Sequence, residues 1–475
     1  MVSGFRLTSL SLGLAVMALA GHADDSVTDY VDDDRKATIA LAEDIWQYAE
    51  MGYLETQSTE RLQKYLQRQG FEVQSGLAGM PTAFLASYGK GEPVIGILAE
   101  FDALPGLSQL AKPAREARIA GAPGHACGHH LFGAASAAAG AAIAAWLEES
   151  DTEGTVRVYG TPAEEGGSGK VYMTREGLFD DVDVVLHWHP ADRNHASPSS
   201  TTSNKSGRFS FHGIAAHAAS APDRGRSALD GVEVMNYMVN MMREHVPSDS
   251  RMHYVITHGG DAPNIVPEFA QVYYYVRHPR TEVVKELFER VVNAARAAAM
   301  GTETRLEYEV MHGNYPILPN ETLSALVDGN MRKLGGLSYS PAEQAFAETI
   351  YKTLIKPTLP LGSENQVQPF VFRQGMGSTD VGDVCWTVPT VGFGTATWVP
   401  GTPAHSWQAV AAGGMTIGHK GMILAAKTLA VTATDLFENR DLIERAREEF
   451  EERRGANFEY SALLGDRKPP LDYRL

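Results

Sequence analysis

Cysteine is nearly absent: Cys127 and Cys385 are the only two in 475 residues. Two thiols cannot staple a chain of this length, so a disulfide scaffold is excluded and stability has to come from a buried core. Basic residues are also scarce, with 41 Lys and Arg against 58 Asp and Glu and a net charge of −17. Without a basic run or a basic-aromatic stripe, nucleic acid and anionic membranes are not expected as partners. Internal repeats and low-complexity linkers are missing, as are Gly-x-Ser-x-Gly and His-Glu-x-x-His. Gly166-Gly-Ser-Gly-Lys170 only half resembles a phosphate loop, because Val171 stands where Ser or Thr is required, and it reads as a flexible turn.

Long apolar runs are few. One follows Arg6 at residues 7–20, and small residues lead to a cut expected after Ala23. That pattern predicts a signal peptide over residues 1–23 and a mature protein exported to the periplasm or beyond, since 14 residues are too short for an anchor. Residues 131–147 are mostly Ala and Gly, which suits close helix packing inside a domain.

What is present has the size of two domains with an ordinary apolar content of 44%. Residues 35–51 and 59–69 carry helical spacing, and short apolar runs at 94–99, 156–159, 182–188 and 390–393 read as strands separated by helices. This alternation predicts an α/β catalytic domain with a mixed, mostly parallel sheet flanked by helices. From residue 207 the pattern changes to strand, helix, strand, strand, helix, strand. Val232, Met235, Val239 and Met242 mark one face of the first helix, and Val284, Leu287, Val291 and Ala294 one face of the second. That order is a ferredoxin-like insertion over residues 207–312, splitting the catalytic domain into residues 24–206 and 313–475. Its free sheet edge suits pairing with a second copy, so it is expected to act as a lid and carry a homodimer contact. The helix at residues 441–454 and its Pro-bearing tail read as a solvated face.

The chemistry gathers beyond the strand ends, where open α/β sheets bind ligands. Asp102 follows the first apolar run, Glu164 and Glu165 the second, and His189 ends the third. Gly124-His-Ala-Cys127-Gly-His129-His130 packs a thiol and three imidazoles before a helix, with a glycine that lets Cys127 and His129 aim at one centre. His217 and His405 complete the set. One thiolate, several imidazoles and adjacent carboxylates suffice for two divalent ions sharing a ligand, with a base beside them.

Six spaced motifs resemble the M20 family of metal-dependent peptidases and amidohydrolases: Glu100-Phe-Asp-Ala-Leu-Pro, His125-Ala-Cys-Gly-His, Pro162-Ala-Glu-Glu, Trp188-His-Pro, Ala216-His-Ala and His405-Ser-Trp. Gly377-Ser-Thr-Asp-Val-Gly-Asp383 and Ala262-Pro-Asn-Ile-Val-Pro267 are similar to its aminobenzoyl-glutamate hydrolase B-subunit type. The resemblance runs from about residue 30 to 460. It implies Cys127 as the bridge between two divalent ions, zinc or manganese, with Glu165 and His405 on one and His129 and His189 on the other. It further implies Asp102 orienting a ligand from behind, Glu164 as general base, His217 holding the oxyanion, from this chain or a partner subunit, and Asn264 and Arg277 near the substrate. His130 departs from the family's usual aspartate, and His187 is an alternative ligand on the same strand face as His189. The implied reaction is hydrolysis of an amide in an N-acyl or N-aroyl amino acid or a small dipeptide. Two other readings compete: a non-catalytic binding protein of this fold, and a cysteine hydrolase using Cys127 with His125 or His129.

Overall fold

The computed structural model describes residues 26–475. The signal peptide expected at residues 1–23 lies outside the described residues. After helices α1 (Arg35–Tyr48) and α2 (Thr56–Arg68) the chain lays down strands β1 (Glu72–Ser75), β2 (Phe84–Lys90) and β3 (Val94–Ala99), then the long helix α3 (His129–Ser150), then β4 (Gly154–Gly160), the short helix α4 (Gly169–Arg175) and β5 (Val184–Ala191). It leaves for the insertion and returns to add β10 (Thr390–Ala396) beside β5. The sheet order is β1-β2-β4-β3-β5-β10. β4, β3, β5 and β10 are mutually parallel, and β2 and β1 close one side antiparallel. All six residues of β3 are buried, as a central parallel strand covered on both faces requires.

Helix α3 is long and apolar enough to cross a membrane by length and composition, yet it is buried inside the domain. Its small residues explain this. A Cβ on Gly140 would meet the Val158 side chain at 2.5 Å, and one on Gly133 would meet the Glu100 carbonyl at 2.8 Å. Helix α3 therefore lies almost on the sheet, and its first turn stands against the loop that leaves β3.

The insertion comprises β6 (Ser203–His212), α5 (Ala228–Met242), β7 (Arg251–His258), β8 (Phe269–His278), α6 (Thr281–Gly301) and β9 (Arg305–Asn314). Its four strands are antiparallel in the order β9-β6-β8-β7 and carry a separate core. Val232, Met235, Val239, Val284, Leu287 and Val291 are buried in that core, while Met242 and Ala294 are only partly covered at its margin. The first and last strands are neighbours, with Asn204 paired to Asn314, so the chain enters and leaves side by side. Strand β7 is an edge and exposes Val255 and Ile256.

The charged helix at Arg440–Arg454 corrects one expectation. Read as a solvated face, it buries Ile443, Ala446 and Phe450, a stripe at helical spacing that its many charges mask.

Candidate active site

Four loops and one helix start converge at the carboxyl ends of the parallel strands. The segment leaving β3 supplies Glu100 and Asp102, the one leaving β4 supplies Glu164 and Glu165, and β5 itself carries His187 and His189. Cys127 precedes α3, and His129 is its first residue. Gly128 between them has φ +79°, and a Cβ there would strike the Pro190 side chain at 2.6 Å. Only glycine makes this turn against β5. His405 is brought in by a loop whose backbone N–H donates to the Ala126 carbonyl at 3.0 Å, with His405 itself at φ 58°. Ala163, before the glutamate pair, is also left-handed (φ 57°) and donates its N–H to Glu55 Oε1 at 2.8 Å. Two such residues beside reactive groups mark a locally strained site.

Ligand-type atoms fall into overlapping groups, each within 4.8 Å: Cys127 with His129 and His189, Cys127 with Glu165 and His405, and Glu100 with His129 and Glu164. Cys127 Sγ lies 3.5 Å from His189 Nε2, and His405 Nε2 lies 3.1 Å from Glu165 Oε1. Asp102 ties the groups together, accepting from His129 Nδ1 at 2.8 Å on one oxygen and from the Glu165 N–H at 2.9 Å on the other. His189 Nδ1 donates to the Pro190 carbonyl at 2.7 Å, leaving the Nε2 lone pair facing Cys127. Burial and His129 together lower the His189 pKa to about 4, so that ring is neutral.

His129 Nε2 and Glu100 Oε2 are 3.1 Å apart, yet neither has a hydrogen-bond partner. Buried polar atoms directed at one another without bonding are what a cation site leaves when its residues alone are considered. Burial, reinforced by Glu100 and Glu165, pushes the Glu164 carboxyl well above the usual carboxylate range. Glu165 and Asp102 are held low: burial raises both, but a hydrogen bond from His405 for Glu165 and the charge of His129 for Asp102 outweigh it.

Sequence reasoning assigns no role to several residues here. Lys170 is fully buried, with Nζ 2.7 Å from Glu100 Oε1 and 2.8 Å from Asp380 Oδ1, so the Gly166–Lys170 stretch is not the flexible turn expected of it. Glu55 is buried beneath the loop bearing Glu164. Tyr473 and Arg474, in the tail read as solvated, both donate to the Glu165 carbonyl, at 3.1 and 2.5 Å. Lys170 and Asp380 stand in Gly-rich segments that the sequence itself sets apart, whereas nothing local in sequence points to Glu55 or the tail.

Of the expected set, Asp102, Cys127, His129, Glu164, Glu165, His189 and His405 come together, and Arg277 lines a cavity that also includes Glu164 and His405. His217 and Asn264 do not join them. They adjoin each other on the exposed rim of the insertion, where the Ala218 N–H donates to the Asn264 carbonyl and His217 bridges Ile265. His187 stays out of the ligand groups, its ring packed over Gly392 of β10. His130 is buried behind the site and bonds the Gly413 carbonyl at 3.0 Å. His125 turns to the Ile45 carbonyl at 3.0 Å, so it cannot serve Cys127 as a base. Burial moreover pushes the Cys127 thiol upward, the opposite of what a cysteine nucleophile requires.

Two cavities flank the ligand groups. One, of about 360 Å³, runs inward past His187 and is walled by Phe132, Val381, Cys385, Val391 and Phe393. The other, of about 420 Å³, opens between the catalytic domain and the insertion and is lined by Arg277, Asn204, His312 and Arg474.

A sheet whose strand ends gather a thiol, imidazoles and buried carboxylates, capped by an inserted α+β unit, defines a hydrolase of amide bonds. Residues 200–303 match the peptidase dimerisation domain. The chain is 39% identical to the B-type component of the Escherichia coli p-aminobenzoyl-glutamate hydrolase over 90% of its own length and 94% of that protein's. It is 30% identical to Xaa-Arg dipeptidase of Mus musculus over 88% and 90%. The chain belongs to the M20 family of peptidases and amidohydrolases. Its fold is shared by an aminobenzoyl-glutamate utilization protein from Klebsiella pneumoniae (TM-score 0.61, 18% identity, 86% and 97% covered). It is shared too by a dinuclear metal-binding M20 peptidase from Bacillus subtilis (TM-score 0.58, 17% identity, 86% and 99% covered).

Proposed function

We propose that the protein hydrolyses the amide bond of N-acyl or N-aroyl amino acids or small dipeptides, using two divalent ions held by Cys127, His129 and His189 on one side and by Cys127, Glu165 and His405 on the other. The observation that carries this reading is the position of Cys127, common to both ligand groups, with the unpaired His129 Nε2 beside it. Thiolate and imidazole donors suit zinc, and carboxylates admit manganese. Bound there, the ions would acidify the attacking water and polarise the scissile carbonyl.

The protein's own residues supply the rest. Glu164 stands beside the ligand groups, where it takes a proton from the attacking water and delivers it to the leaving nitrogen. Asp102 keeps His129 in one tautomer and orients the loop of Glu165 through its backbone N–H. The inner apolar cavity receives the acyl or aroyl group, and the outer one, with Arg277, receives the amino-acid carboxylate. Stripping the purified protein with chelator, then restoring zinc or manganese against a panel of such amides, should abolish and recover turnover. Turnover indifferent to chelation would end the metal reading.

The same proposal makes the protein a homodimer through the insertion, whose edge strand β7 carries exposed Val255 and Ile256. His217, remote from its own site, would then act in the partner's. Mixing inactive His217→Ala and Glu164→Ala proteins should regenerate activity after subunit exchange; proven heterodimers without activity would refute action in trans. Export rests on the pattern at residues 6–23, and N-terminal sequencing from the native host should begin near Asp24.

A further inference from the structure

Both peptide groups that flank the Glu165 α-carbon are held from outside its loop. The N–H on one side donates to Asp102 Oδ2 at 2.9 Å, and the carbonyl on the other accepts from the Tyr473 hydroxyl at 3.1 Å and from Arg474 Nη2 at 2.5 Å. The loop needs such restraint. Gly166 and Gly167 come next, Gly166 at φ +93°, and two glycines in a row leave the backbone after Glu165 many conformations unless its oxygen is caught.

The two donors arrive on a strap, residues 465–474, moored along α4, the helix that follows this loop. Arg175 Nη1 donates to the carbonyls of Gly465 and Arg467 at 3.0 and 2.8 Å, and the Tyr172 hydroxyl donates to that of Lys468 at 3.2 Å. Tyr473 then turns inward, its ring edge-on to Tyr53 with centres 5.6 Å apart. Its hydroxyl occupies space that Gly52 leaves open, where a Cβ would meet that oxygen at 2.2 Å. The Arg474 guanidinium carbon lies 4.8 Å from the centre of the Tyr473 ring, so the two side chains reach the Glu165 carbonyl as a unit.

We infer that Tyr473 and Arg474 are positioning residues that fix the Glu165 carboxylate for the ion it would share with Cys127 and His405, without governing the ion assigned to Cys127, His129 and His189. The inference rests on the two-ion reading above. With both flanking peptide planes set, the direction of the Glu165 side chain is fixed before an ion arrives, and partners that orient a ligand govern metal affinity nearly as ligands do.

Zinc titrated into chelator-stripped protein against a chromophoric competitor reads the two affinities without turnover. Tyr473→Phe combined with Arg474→Gln should weaken one ion by about 10- to 100-fold and leave the other as in the wild type. On a Glu165→Gln background the same pair should cause no further loss, because the carboxylate it positions is gone. Arg474→Lys, which keeps a donor, should bind closer to the wild type than Arg474→Gln. Tyr473→Phe alone removes one hydroxyl and keeps the ring against Tyr53, so a smaller loss at the same ion is expected even where the double variant does not fold. Both ions weakened alike would show a strap that only stabilises the fold and overturn the inference, as would two unchanged affinities or a loss that adds to that of Glu165→Gln. If the wild type binds two ions but cleaves no amide, the hydrolase reading fails while the titration still decides Tyr473 and Arg474; a wild type that takes up no zinc overturns both.

Discussion

Lys170 Nζ sits 2.7 Å from Glu100 Oε1 with both side chains shut off from solvent, and Asp380 closes the other flank of the same ammonium. One cation thus stands among carboxylates directly behind the ligand groups. Lys170→Met strands two buried negative charges and should cost about 3–5 kcal/mol. Adding Asp380→Asn should return part of that loss. Denaturant melts of the single and double variants measure both.

Glu164 and Glu165 are neighbours with different surroundings, one pushed up in pKa by burial and adjacent carboxylates, the other held down by His405 and His129 despite burial. Glu164→Gln should keep metal and substrate affinity while turnover falls by about two or more orders of magnitude. Glu165→Gln should weaken metal retention, with activity partly recovered at high metal concentration. Near-normal turnover of a metal-replete Glu164→Gln protein would contradict the mechanism.

Both cysteines are buried, but only Cys127 lies among the ligand groups. Elemental analysis should find Cys127→Ala depleted of metal and Cys385→Ala with wild-type content. Two ions retained by the Cys127 variant would dismiss the bridging thiolate.

Acid sensitivity should come in part from Glu343. It closes the capping box of helix Pro341–Tyr351 with Ser340 and pairs with Lys420 at 2.6 Å. Burial works against its charge, yet the hydrogen bonds from Lys420, Thr416 and Ser340 hold its pKa at about 2. A carboxyl depressed in the folded state stabilises above its unfolded value of about 4.3, and this contribution drains away as pH falls from there toward 2. Its size, discounted for the nearby surface, is about 1–3 kcal/mol. The gap in stability between wild type and Glu343→Gln should be full at pH 6 and narrow by pH 3. A gap that does not change with pH would place the effect elsewhere.

The seven residues that converge were legible because each directly follows or ends a short apolar run, or precedes a helix, and strand ends are where such sheets expose their chemistry. The insertion was legible because its buried faces repeat at regular spacing. Lys170 was not, since a lysine among glycines looks solvated until the fold puts Glu100 and Asp380 around it. Glu55 and Arg474 escaped for a related reason: each is separated in sequence from its contact by a hundred residues or more and acts on a main-chain group, which no side-chain pattern encodes. His217 belongs to a legible motif, but its place on the exposed rim of the insertion depends on how the insertion sits over the sheet.

The pairing of Asn204 with Asn314 has an architectural consequence. Because the insertion's first and last strands share one ladder, its two covalent links to the catalytic body form a single stem, and cutting both would leave ends about 5 Å apart. Such a stem is short enough to be rejoined by a very short bridge, so the insertion is covalently a side branch of the sheet that carries Cys127 and Glu164, joined to it beyond the stem by contacts such as Arg277 with Ser378.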